Sequence, residues 1–114
     1  MDYNKIFLVA VIFIFNNIAI WYQLNGQLVW DFWKTPKGIA LSLLMGIPIT
    51  GMFWICTKLG YEGFGALWPT RFMGFATSMM TFPIMTYIYL GEALTLKTIV
   101  TLILSIVIMI IQIL

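Results

Sequence analysis

Histidine does not occur in this sequence, cysteine occurs once, at Cys56, and charge is limited to six basic and four acidic residues among 114. Without histidine and with one thiol, no zinc or haem ligand set can be assembled, no metal or other cofactor is expected, and no disulfide can close within the chain. A formal charge of +2 from scattered Lys and Arg gives no basic stripe, which removes nucleic acid from the partners. No nucleophile–base pair and no phosphate loop is visible, so the chain is not read as an enzyme. The scarcity of charge also excludes a soluble domain, whose exterior is about a quarter charged.

What fills the chain instead is apolar: 62% of residues are hydrophobic and the mean hydropathy is +1.02. Four apolar runs, about Ile6–Leu24, Ile39–Thr57, Pro69–Leu90 and Leu96–Leu114, each approach the roughly 20 residues that cross a hydrocarbon core. The expectation is an all-α integral membrane protein, residues 1–114 forming one antiparallel bundle of four transmembrane helices with the lipid bilayer as its surroundings. No small-residue cleavage site follows the first run, which is therefore expected to be a retained helix. No acid lies inside a run, and Arg71, near the start of the third, can snorkel outwards. Trp21, Trp30, Trp33, Trp54 and Trp68 fall near span ends, as an aromatic belt requires, and "VWDFWKTP" reads as an interfacial segment.

The polar residues within the runs carry the remaining information. Asn16 and Asn17 lie side by side at mid-span, where a lipid-facing amide would be costly; they read first as interhelical hydrogen-bonding groups and second as a polar site. Gly38, Ser42, Gly46 and Thr50 form a small-residue ridge for close helix packing, interrupted by Pro48. In the third run Thr70, Gly74 and Ser78 form a second ridge, Thr77 and Thr81 add hydroxyls, and Pro83 frees the Met79 carbonyl, which points to a packed interior or a cavity. Arg71 reads either as a snorkelling residue or as an anion anchor at a pathway mouth balanced by Glu62. Thr98, Ser105 and Gln112 recur at seven in the last run, a stripe suited to a helix–helix seam.

Between the last two runs, "YLGEALTLK" predicts a tight, water-facing hairpin: Gly91 ends one helix, Glu92 stays in water and Thr95 caps the next. Lys5, Lys58 and Arg71 at one end are matched by Lys34, Lys37 and Lys97 at the other, so charge fixes no orientation.

Four helices in about 110 residues, balanced charge and a last hairpin reading "YIYLGEALTLKTIVTLIL" resemble the small multidrug resistance branch of the drug/metabolite transporter superfamily. Gly91, Glu92 and Leu94 match its "GE-x-L" hairpin, and Leu104 a leucine of its final helix; the glycines usual in that helix are replaced by Thr101 and Ile108. The branch's first-span glutamate is replaced by Asn16 and Asn17, which do not titrate, and its third-span aromatic motif has no match in "TRFMGFA". The resemblance implies a transporter or flippase in a bacterial inner membrane, moving a small or lipid-linked amphiphilic solute without proton exchange. Its pathway would be lined by Asn16, Asn17, Arg71, Thr77, Ser78 and Thr81, and packing would use Gly38, Ser42, Gly46, Thr50, Gly74 and Ser105. A homo-oligomer, such as a dimer, or a membrane partner subunit is expected; the alternative is a non-transporting accessory subunit of a membrane complex.

Overall fold

A computed structural model describes residues 1–114. The chain forms four long helices, α1 (Tyr3–Asn25), α2 (Pro36–Phe64), α3 (Leu67–Leu90) and α4 (Leu96–Ile113), with two short 3-10 turns, Gly26–Leu28 and Asp31–Lys34, between α1 and α2. Helices α1, α2 and α4 are long and apolar enough to cross a membrane. Helix α3 has the length but not the apolarity, although a span was expected there. Its hydroxyls, Arg71 and two prolines lower its hydropathy, and it packs against each of the other three helices, which shelters much of that polarity. With Cα extents of 45 × 35 × 18 Å, the molecule is about two helices deep.

Helix starts follow from caps. Asp2 accepts from the backbone N–H of Asn4 and Lys5, and Thr35 accepts from Gly38 N with Pro36 at the first helical position. Gly65 and Gly91 end α2 and α3 in the left-handed region, at φ 74° and 69°, where a side chain would be strained. At the hairpin Thr95 Oγ1 accepts from Thr98 N at 3.3 Å, and Glu92 is exposed.

Helices α1 and α2 run antiparallel in constant register. Asp2 N donates to Gly63 O (2.8 Å), Cys56 Sγ to Val9 O (3.9 Å) and Asn16 Nδ2 to Ile49 O (3.3 Å), while Gln23 Nε2 donates to Ser42 O (2.8 Å) and Ser42 Oγ to Gln23 O (3.1 Å). These contacts recur every seven residues on both helices, the period at which two helices stay in contact over a long seam. The expected i+4 ridge on α2 therefore divides. Gly38 packs under the interfacial turn, where a Cβ would strike the backbone of Phe32 and Trp33; Ser42 and Gly46 approach Gln23 of α1; Thr50 is exposed. Steps of four residues precess by about 40° each on a 3.6-residue helix, so Thr50 has rotated off the seam and Ile49 takes its place.

The expected second loop, "KLGYEGFGALW", is mostly helix. Gly60 and Gly63 are buried packing positions, facing Thr70 and the Asp2–Ile6 turn, and only Gly65 and Ala66 join α2 to α3. Beside them Lys5 pairs with Glu62 at 3.0 Å, so Glu62 does not balance Arg71. Helix α1 packs parallel to α3, and α4 returns antiparallel along α3 through the hairpin. On α4 Ser105 is fully buried and donates to Thr101 O, Thr98 and Gln112 are half-buried on its stripe, and Met109 and Ile113 reach the core of Ile6, Val9, Phe13, Cys56 and Met73.

Candidate functional site

The two asparagines settle on different neighbours. Successive residues point about 100° apart on a helix, and α1 lies against both α2 and α3. Asn16 therefore turns to α2 and donates to the Ile49 carbonyl, whereas Asn17 turns to α3 and donates from Nδ2 to Thr77 Oγ1 at 3.0 Å. Thr77 gives its single hydroxyl hydrogen back to its own helix, towards the carbonyls of Met73 and Gly74, both at 2.9 Å. The Thr77 oxygen must then accept from the amide, which fixes Asn17 with Nδ2 on Thr77 and leaves Oδ1 with no partner in the chain.

Asn17 lies on the floor of a cavity of about 510 Å³ bounded by α1, α2 and α3. Phe13, Asn17, Thr70 and Gly74 form the floor, the first three buried; Phe53, Thr57, Leu67, Arg71, Phe75 and Ser78 form an exposed rim. Buried floor and exposed rim describe a groove that opens on the outer side of the bundle between α2 and α3. The outer end of the Phe13 ring packs on Gly74, whose absent Cβ would sit 3.2 Å from it.

The groove is neutral except at one point. Arg71 is its only ionisable lining residue; it forms no ion pair or hydrogen bond, and its guanidinium lies 6.0 Å from the centre of the Phe75 ring. Next to it in the chain, Thr70 is 2% exposed, and its hydroxyl has no hydrogen-bond partner. A buried hydroxyl without a partner costs about 1–3 kcal/mol, and this one is closed off against Gly60 of α2. Thr70 was read from the sequence as a packing residue, and its lack of a partner has no sequence signal.

Of the expected pathway residues, Asn17, Arg71 and Ser78 line this groove. Thr77 stands behind Asn17, Asn16 is spent on the α1–α2 seam, and Thr81 bonds its own helix at Thr77 O, away from the cavity. At the far end of the bundle Trp21, Tyr22, Trp30 and Tyr89 form a closed aromatic cluster, with centroids of Trp21 and Tyr89 5.2 Å apart and Trp30 and Tyr89 5.5 Å apart. The Tyr22 and Tyr89 hydroxyls are hydrogen-bonded, and Trp21 donates from Nε1 to Thr86 Oγ1 at 3.1 Å. Trp21 is thus a core residue and not an interfacial anchor; its 2% exposure contrasts with 67% for Trp54 and 72% for Trp68. No protein family, characterised protein or solved structure matches the chain.

Proposed function

We propose that the chain is a small membrane transporter or flippase that carries an amphiphilic solute through the groove between α2 and α3. The observation that carries this reading is the groove itself, with a neutral polar floor at Asn17, aromatic walls at Phe53 and Phe75 and one cation at its rim. A pathway open along the side of a bundle lets a solute keep its apolar part in lipid while its polar part is hydrogen-bonded within. The aromatic cluster at the opposite end packs Trp30 against Tyr89, and in this reading an access route there requires the two side chains to separate. In this reading all four helices, α3 included, lie in the bilayer. The hairpin resemblance to the small multidrug resistance branch supports the same function, without a coupling acid, in a bacterial inner membrane.

Helix α4 buries only Ser105 completely and leaves most of its Ile, Leu and Val side chains exposed. This favours association with a second copy or another membrane subunit, and it is also the observation behind the alternative of a non-transporting accessory subunit. Reconstitution into liposomes separates the two. Movement of a fluorescent amphiphile that requires the protein and is lost in Asn17→Leu is the expected result; no movement for any headgroup, with a stable partner complex retained, would favour the accessory role.

A further inference from the structure

We infer that the groove is selective for amphiphiles whose headgroup combines a phosphate with a hydroxyl or N–H donor, bound as part of a lipid. The inference rests on the groove being the solute site and adds what the solute must carry.

Arg71 sets the anionic half. Its guanidinium is the only charge lining the groove and is free of any carboxylate, since Glu62 is engaged by Lys5. Helix α3 begins beside it without a side-chain cap, because Ala66 offers none; the amides of its first turn add partial positive charge at the same place. A phosphate offers two oxygens to the planar fork of a guanidinium, the bidentate match that this group favours. A cationic head would meet like charge with no acid to offset it.

The deeper half is set by one unmet polar atom, on Asn17, since Thr70 Oγ1 also lacks a partner but is closed off against Gly60. Asn17 Oδ1 is free because the bond to Thr77 fixes the amide orientation, and it can only accept. The ligand must therefore present a donor below its phosphate. Arg71 and Ser78 are seven residues apart on α3, so the polar lining extends about 10 Å along the helix, enough for a phosphate and a small hydroxylated group. Phe53 and Phe75 border the open side, through which acyl chains pass into the bilayer.

The test is competitive lipid binding to the purified full chain by native mass spectrometry, using phosphatidylglycerol, phosphatidic acid and phosphatidylcholine, with glycerol 3-phosphate as a soluble competitor. Expected is a preference for phosphatidylglycerol over both other lipids. Arg71→Gln should reduce its preference over phosphatidylcholine about tenfold, because it removes the like charge that the choline head meets, while Arg71→Lys keeps part of it. Asn17→Leu should weaken phosphatidylglycerol several-fold and leave phosphatidylcholine unchanged, whereas Thr70→Val, which alters a hydroxyl closed off from the groove, should change neither. Equal binding of the three lipids, or ratios unmoved by Arg71→Gln in a protein whose helical circular dichroism is intact, would overturn the inference. Displacement of the lipid by glycerol 3-phosphate at equal concentration would overturn the lipid assignment. Selective binding without movement in liposomes would remove the transport reading alone, and movement without headgroup selectivity would remove this inference alone.

Discussion

Asn17 and Thr77 are joined by a 3.0 Å hydrogen bond that ties α1 to α3 immediately behind the cavity floor. The bond holds the two helices together and also decides which end of the amide faces the groove. In lipid, where apolar side chains gain little from burying one another, such bonds and close packing supply much of the specificity of helix association.

A double-mutant cycle with Asn17→Leu and Thr77→Val should give a coupling of about 0.6 to 1.7 kcal/mol, the range known for interhelical hydrogen bonds in membranes. Steric-trap or denaturant unfolding in micelles measures it. Additive effects would show that the two side chains do not interact.

Asn16 predicts a different phenotype from its neighbour. Asn16→Leu removes the bond to the Ile49 carbonyl and should lower stability by about 1 kcal/mol without changing the lipid preference, because Asn16 lies outside the groove. Equal loss of lipid selectivity in the two leucine variants would refute this division.

Gly60 and Thr70 form a steric pair, since a Cβ on Gly60 would overlap the Thr70 side chain. Gly60→Ala should destabilise the protein by roughly 1–3 kcal/mol, the usual cost of overpacking, and Gly60→Ala with Thr70→Ala should recover most of it. Thermal unfolding of the three proteins in one detergent checks the compensation.

The groove is lined by no aspartate, glutamate, histidine or cysteine, so it holds no side chain of the kind that exchanges a proton near neutrality. Movement of the solute should therefore be the same between about pH 6 and 8 and should not be driven by a proton gradient. Acceleration by an imposed gradient in liposomes would point to a coupling group outside the groove.

The sequence carried the helices and the last hairpin clearly, because apolar runs, cap residues and glycines are local signals. Gly91 and Thr95 stand where a helix end and a helix start require them. The α1–α2 seam was less legible. Its heptad of Ser42, Ile49, Cys56 and Gly63 mixes residue types, whereas the i+4 ridge through Gly38 and Thr50 is uniform in size but rotates off the interface. Gly60 and Gly63 read as loop punctuation because a packing glycine and a turn glycine look alike until the partner helix is in place.

Asn17 and Arg71 were legible as candidates, being costly residues within an apolar run. Their convergence on one groove depends on α1 lying between α2 and α3, which no local pattern specifies. The pairing of Glu62 with Lys5, which leaves Arg71 free, likewise arises only from the antiparallel register of α1 and α2.

Ser78 offers the most direct test of the proposed pathway, because it is exposed on the rim and makes no hydrogen bond, so a large side chain there fills the groove without displacing packed neighbours. Flipping of a fluorescent phosphatidylglycerol should be measured in liposomes with wild-type protein and with Ser78→Trp at equal reconstitution. Protein-dependent flipping that falls to the rate of empty liposomes in Ser78→Trp is the predicted result. Flipping by Ser78→Trp at the wild-type rate would contradict the claim that the solute passes through this groove.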